Sequence, residues 1–264
     1  MNLAGHSVLL TGASGGIGHA IARRLSRAGA TLILTGRRKD RLEPLAAELG
    51  GRAEAVDLCD AASVERLAAE CADVDVLVAN AGLPGSGPLL DYGVDEIDRV
   101  LAVNLRAPMV LSRVLGERMV ARGSGHIVLV SSLSGKFASE GSAVYSATKF
   151  GLRGFGQALR GDLHGTGVGV SVVFPGFIRD AGMFHEADVQ LPRSVGTSTP
   201  DEVAEGVVEA IERDRGEVDV APFGMRVSAA FGGVAPTTAA ALSRRLGGGK
   251  IAADLGEGQR ERRS

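Results

Sequence analysis

Short apolar runs rich in Val, Ile and Leu alternate along this chain with longer stretches whose apolar positions recur every three to four residues. A continuous short apolar run marks a buried strand, and a period near 3.6 marks a helix. Val8–Thr11 reads as the first strand and Ile17–Ala28 as the first helix, with Ile17, Ile21, Leu25 and Ala28 on one face. The same alternation predicts strands over Leu32–Thr35, Ala53–Val56, Val74–Val78, Ile127–Val130, Val170–Phe174 and Val218–Val220. It predicts helices over Arg41–Leu49, Ala61–Cys71, Val94–Val120, Ala143–Leu163, Pro200–Arg213 and Ala239–Leu246. Repetition of this kind gives an α/β fold, a doubly wound parallel sheet of about seven strands flanked by helices. Strands that are apolar throughout fit a sheet covered on both faces.

No linker interrupts the pattern before about residue 246, so residues 1–246 are expected to form one domain. Gly247-Gly248-Gly249 then opens a polar tail, 247–264, expected to be mobile. The 264 residues carry a formal net charge of -2, and nucleic-acid binding, which needs clustered Lys and Arg, is not expected. Cys59 and Cys71 have no metal-ligand spacing, and so poor a cysteine content fits a reducing compartment. The residues after Met1 do not read as a signal peptide, and no run reaches the ~20 apolar residues of a membrane helix. A soluble cytoplasmic protein without a metal site is the expectation.

Thr11-Gly12-Ala13-Ser14-Gly15-Gly16-Ile17-Gly18 joins the first strand to the first helix. Glycines there let the backbone approach a pyrophosphate, and the helix N-terminus offers free N–H groups and a partial positive charge. In isolation such a turn is an ordinary loop; its place between strand one and helix one makes it a dinucleotide site. The second strand ends Thr35-Gly36-Arg37-Arg38. An NAD enzyme usually carries an acidic residue here for the ribose hydroxyls, whereas this chain has Gly36 and two arginines. Arg37 and Arg38 would suit a 2′-phosphate, which favours NADP(H) over NAD(H). The competing reading is a solvated basic loop, because Lys39 and Arg41 lie in the same cluster.

Tyr145 and Lys149 stand four apart on one predicted helix and therefore share a face. A phenol of pKa ~10 is a poor acid–base group at neutral pH. A nearby ammonium would lower it, so that it could exchange a proton with a carbonyl oxygen. The spacing Gly12-x-x-x-Gly16-x-Gly18, together with Tyr145-x-x-x-Lys149, resembles the classical short-chain dehydrogenase/reductase family, and the resemblance covers residues 5 to 222. It implies a single-domain Rossmann fold and an oxidoreductase acting on an alcohol or carbonyl.

The resemblance also assigns further roles. Ser132, thirteen residues before Tyr145, would polarise the substrate oxygen, with Ser131 and Ser134 as rivals and a simple turn serine as the plain reading. Asn104 would hold a water near Lys149; otherwise it is a polar residue inside a helix. Ser14 would help hold the 2′-phosphate, and Ile17 would belong to the cofactor-binding turn. Gly15 stands where many members carry a basic residue. Asp57 and Leu58 would contact the adenine, unless Asp57 merely closes a turn. Asn80, Ala81 and Gly82 would line the cofactor. Pro175, Gly176 and Ile178 would flank the nicotinamide, and Asp180 departs from a position that is often Thr.

Residues 177–199 are the expected substrate loop. Phe177, Met183, Phe184, Val189 and Leu191, with Phe223, Met225, Val227 and Phe231, read either as ordinary lid and core packing or as the wall for a hydrophobic substrate: lipid-like, acyl or polycyclic. Gly151, Gly154, Gly156 and Gly161 on the Tyr145 helix point to a close-packed neighbouring helix; the resemblance, whose members commonly form dimers and tetramers through this helix, implies a homodimer or homotetramer. Two rivals remain, a cofactor-binding regulator without turnover and a nucleotide-sugar epimerase or dehydratase; Ser132, Tyr145 and Lys149 oppose the first, and the glycine spacing the second.

Overall fold

The computed structural model describes residues 1–185, 196–245 and 257–258. Seven parallel strands form one sheet: β1 (Ser7–Thr11), β2 (Thr31–Gly36), β3 (Arg52–Ala55), β4 (Val76–Ala79), β5 (Gly125–Val130), β6 (Val168–Pro175) and β7 (Glu217–Val220). Their order is β3-β2-β1-β4-β5-β6-β7, so the direction of winding reverses between β1 and β4. Loops diverge at that point and leave a crevice beyond the carboxyl ends of the strands. This is the Rossmann arrangement expected from the alternation.

The helices are α1 (Gly16–Arg27), α2 (Lys39–Leu49), α3 (Ala61–Glu70), α4 (Val94–Leu101), α5 (Ala107–Arg122), α6 (Ala143–Asp162), α7 (Gly182–His185), α8 (Pro200–Glu212), α9 (Phe223–Val234) and α10 (Pro236–Arg245). One core, on the α1, α2 and α8 side, gathers Leu10, Ile21, Leu25, Leu34 and Val207; the other, on the α3, α5 and α6 side, gathers Leu9, Leu67, Leu111, Ile127 and Phe174. β4, β5 and most of β6 are buried along their length, as their unbroken apolar runs require.

Three expectations need correction. The helix predicted over Val94–Val120 is interrupted by a π turn at Ala102–Arg106, which contains Asn104. A π turn holds one extra residue and commonly marks a functional site. Second, α9 was not foreseen, because its composition, with Phe, Val, Ala and Gly and exposed apolar residues, has no clean polar face. Third, two of the four α6 glycines serve packing within the chain: Gly151 faces Leu105, and Gly156 faces Val172 and Leu129. The predicted tail 247–264 and the middle of the substrate loop, with Val189 and Leu191, lie outside the described residues. No helix among those described is long and apolar enough to cross a membrane.

Candidate active site

The crevice between β1 and β4 is built from two turns locked together. Thr11 Oγ1 accepts from the backbone N–H groups of Asn80 and Ala81, each at 3.1 Å. Asn80 Nδ2 donates back to the carbonyls of Thr11 and Gly12 at 3.1 and 3.3 Å. Gly12 has φ 69°, and a Cβ there would lie 2.7 Å from Ala81 Cα. A Cβ on Gly18 would lie 2.8 Å from Ala13 Cα. Only glycine permits this close turn, and it leaves the start of α1 bare of side chains. The described strap after β6 closes over it: Ala181 packs on Gly16 and Gly182 on Ile17. Its base is pinned by Arg179 N–H to Ser198 O at 3.0 Å and Ser198 N–H to Phe177 O at 2.9 Å. Asp180 takes a left-handed φ of 69° and pairs with Arg179 at 3.5 Å.

At the other wall of the crevice, Ser14 and Gly36 are in contact, so the first turn abuts the end of β2. Arg38 donates to Ser14 O at 3.3 Å, and Arg37 is exposed. Neither arginine pairs with a carboxylate among the described residues. Asp57 is exposed and accepts from Cys59 N–H at 3.0 Å, so it does close its own turn, with buried Leu58 beside it.

Ser132, Tyr145 and Lys149 meet at the carboxyl end of β5. Lys149 is 3% exposed, donates from Nζ to Val130 O at 3.0 Å, and lies 5.5 Å from the Tyr145 ring centroid. Ser131 Oγ donates to Lys149 O at 3.0 Å and so ties β5 to α6. Ser131 is thus a structural serine, while the Ser132 hydroxyl stands beside the Tyr145 phenol. Gly85 passes so close to Tyr145 that a Cβ there would lie 3.0 Å from Tyr145 Cβ. Burial lowers the Lys149 ammonium to about 8. It pushes the Tyr145 phenol up to about 12, against the opposing pull of Ser132. The protein groups alone therefore reverse the lowered phenol expected from the sequence. Desolvation of a phenolate outweighs an ammonium held several ångströms off and itself disfavoured by burial.

Asn104 is buried, and its side chain is committed. Oδ1 accepts from Leu83 N–H at 2.7 Å, and Nδ2 donates to Leu83 O at 3.0 Å and to Thr148 Oγ1 at 3.4 Å. It clamps the strand-four turn to α6 next to Lys149, which differs from a side chain reserved for a water.

One cavity of about 690 Å³ joins these parts. It runs from Ile17, Asn80 and Gly82 past Ser132, Tyr145 and Lys149 to Pro175, Gly176 and Ile178. Its outer wall includes Leu133, Phe137, Met183, Met225 and Ala229. Phe177 and Met183 belong to it as expected, whereas Phe223, Val227 and Phe231 are exposed at 78%, 50% and 46% and do not line it. The Phe184 side chain lies outside the described residues. The sequence points to neither Gly85 nor Phe137, whereas Ala181 and Gly182 fall within the expected substrate loop 177–199. Phe137 could not be found from spacing, because Gly232 of α9 is what seats it.

A dinucleotide crevice at the switch point of a parallel sheet, opening directly onto a serine, a tyrosine and a lysine, defines an α/β oxidoreductase. The chain belongs to the short chain dehydrogenase family, whose model matches residues 6–191. It is 40% identical over 227 residues to the ketoacyl reductase HetN of Nostoc sp., covering 83% of this chain and 79% of the relative. It is 35% identical to the NADP-dependent 3-hydroxy acid dehydrogenase YdfG of Escherichia coli, over 76% of this chain and 86% of that one. Among solved structures, a short-chain dehydrogenase from Sphingobium yanoikuyae in complex with NADPH superposes with a TM-score of 0.76 at 29% identity, over 88% of this chain and 95% of that one. The protein is thus an oxidoreductase acting on alcohol or ketone groups.

Proposed function

We propose that this protein reduces a ketone or aldehyde with NADPH, or oxidises the matching alcohol with NADP⁺, on an apolar small-molecule substrate. The observation that carries the reading is the single cavity in which Ser132, Tyr145 and Lys149 face the glycine turn and the Pro175–Ile178 segment. The turn fits a pyrophosphate, since Gly12 and Gly18 have no room for side chains and the backbone at Gly15, just before α1, is open, while Ala181 packs on Gly16. Gly12, Ser14, Gly16, Ile17 and Gly18 would hold the phosphates. Asp57 and Leu58 would hold the adenine, and Asn80, Ala81 and Gly82 would line the floor. Pro175, Gly176 and Ile178 would flank the nicotinamide. Arg37 and Arg38, cations without a carboxylate partner among the described residues, favour a 2′-phosphate over a bare ribose; the NADP-dependent relative and the NADPH-bound neighbour support this.

When bound, the nicotinamide supplies or accepts the hydride. Tyr145 gives its phenolic proton to the carbonyl oxygen in reduction, and Ser132 donates a hydrogen bond to the same oxygen. A phenol near 12 holds its proton until the acceptor develops negative charge. Lys149 keeps a positive charge beside the phenol and steadies the phenolate left behind. Asn104 keeps Leu83 and α6 in register around Lys149. The apolar outer wall fits a lipid-like, acyl or polycyclic substrate. Met109, Val120 and Phe150 are exposed on α5 and α6 and support a homodimer or homotetramer, which light scattering at micromolar protein would reveal.

The test is oxidation of NADPH, followed by absorbance, against hydrophobic ketones and ketoacyl thioesters, with NADH in parallel. Turnover with NADPH is expected, falling as pH rises through about 8 as Lys149 loses its charge. Equal use of NADH would overturn the cofactor reading. Binding of NADPH without turnover on any carbonyl would leave a regulator as the better account.

A further inference from the structure

We infer that Lys136 and Glu217 form a positioning clamp for the reaction: their ion pair joins the turn that starts at Ser132 to the helix that carries Tyr145 and Lys149, and so sets the serine hydroxyl against the phenol. The inference rests on the roles proposed above for Ser132 and Tyr145 and adds the pair that keeps the two in place.

Ser132 opens a single 3₁₀ turn, Leu133–Gly135, and its Oγ accepts from Ser134 N–H at 3.1 Å. So short a turn has few bonds of its own and is held by what surrounds it. On one side Gly135 rests on α6, where a Cβ would lie 2.6 Å from Lys149 O. On the other side the turn ends at Lys136, whose side chain is 12% exposed. The Lys136 ammonium lies 2.8 Å from Glu217, 2.5 Å from Asp219 and 4.1 Å from the centroid of the Phe174 ring. Glu217 and Asp219 stand two apart on β7 and therefore project to one face of the strand.

Glu217 is the node of the cluster. Besides Lys136, it accepts from Arg153 Nε at 2.8 Å and from Gln157 Nε2 at 2.7 Å. Tyr145, Lys149, Arg153 and Gln157 follow one another at intervals of four along α6. The residues that grip Glu217 thus continue the helix face that carries the tyrosine and the lysine. Serine turn and helix are tied to one carboxylate from two sides. Arg226 of α9 stands 3.9 Å from Asp219, which links the helix carrying Met225 to the same cluster.

The cavity lining does not include Lys136, Arg153, Glu217 or Asp219, so their effect on the reaction passes through the groups they hold. Stability alone is a weak reason for such a cluster, because apolar residues of like volume often pack as well. Charge adds direction, since charge-assisted bonds fix distance and angle between elements. A misplacement of ~1 Å near reacting groups can cost on the order of 10²-fold in rate. The spacing between Ser132 and Tyr145 is where the clamp acts.

The test is a double-mutant cycle of Lys136→Met with Ser132→Ala, read as kcat and KM with NADPH and a hydrophobic ketone that the wild type reduces. Lys136→Met keeps the length of the side chain and removes its charge. It is expected to lower kcat about 10- to 100-fold, with KM for NADPH unchanged. In the Ser132→Ala background, followed by single turnover at excess enzyme, the same change should cost only about 2-fold, because the group it positions is gone. Lys136→Arg, which offers both carboxylates a cation, should recover most of the loss. Glu217→Gln leaves Lys136 paired with Asp219 and carries the test if Lys136→Met does not fold; it should lower kcat about 3- to 10-fold and likewise lose its effect without Ser132. An equal fold-loss with and without Ser132 would mean a purely structural cluster and would overturn the inference while leaving the reductase reading intact. Wild-type kcat in Lys136→Met would do the same. Full turnover in Ser132→Ala would remove the role of that serine, and a wild type inactive on every carbonyl would remove the reductase reading; either takes this inference with it.

Discussion

At the carboxyl end of the sheet, Ser132, Tyr145 and Lys149 open onto the 690 Å³ cavity; at the amino end, His126, Arg160 and Asp214 line a second cavity of about 480 Å³. The two ends differ in how far their polar groups satisfy one another. At the amino end His126 Nε2 meets Ser171 Oγ at 2.8 Å, and Ser171 donates on to Ala210 O at 3.3 Å. Arg160 holds both carboxylate oxygens of Asp214 and also Val170 O. At the carboxyl end a buried lysine has, among the described residues, a single backbone carbonyl for its ammonium, and the tyrosine is raised to about 12. Groups that pair off among themselves fasten a fold. Groups buried without full partners cost stability and persist where chemistry or a ligand uses them.

The largest expected effect is at the open end. Tyr145→Phe removes the proton donor while keeping the ring, and should lower kcat about 10²- to 10⁴-fold. A melting temperature equal to the wild type would show that only chemistry was lost; retained turnover would refute the assignment of Tyr145. Next comes Arg38→Ala, which removes a charged donor from the phosphate turn. A contact of this kind contributes about 1.5–3 kcal/mol, so KM for NADPH should rise roughly 10- to 100-fold while KM for NADH stays constant. Equal losses for both cofactors would show that Arg38 supports the turn and does not read the phosphate.

The closed end should respond in stability and not in turnover. Burial depresses the His126 pKa from 6.5 to about 4, so the unfolded chain binds this proton first as pH falls. Its contribution is complete above pH 6.5 and is lost between pH 6.5 and pH 4. From pH 7 to pH 5 this group alone should cost about 2 kcal/mol, read as a lower urea midpoint. A variant without the imidazole that keeps the same acid sensitivity would move the cause elsewhere. The smallest effect is expected for Asp214→Ala, which breaks the half-exposed pair with Arg160. About 1 kcal/mol of stability should be lost with kcat unchanged. A fall in kcat would couple the two ends and contradict their separation.

Much of this molecule is legible in its residue order. The central strands are apolar runs long enough to be buried on both faces, and of the seven predicted helices all but Val94–Val120, which the π turn divides, recur within a few residues of their expected ends. Gly12, Gly16 and Gly18 mark a tight turn because no other residue fits, and Tyr145 and Lys149 share a face because helix geometry demands it. These properties are local, and a pattern over a few residues suffices to state them.

Other features come from elements far apart in sequence, which only the fold brings together. The π turn at Asn104 forms where α4 and α5 must carry that side chain to Leu83 and Thr148, contacts over 21 and 44 residues. The direction of the Tyr145 shift depends on how deeply α6 is covered, which the spacing to Lys149 does not contain. The apolar residues of α9 divide into Met225, which lines the cavity, and Phe223, Val227 and Phe231, which face outward, according to how Gly232 seats on Phe137. Sequence alone determined the sheet, its turn of glycines and the helix face that carries Tyr145 and Lys149, because dihedral preference and hydrophobic period act over a few residues. The tertiary structure decided which polar groups are left without partners, because burial and field are sums over the whole packed chain.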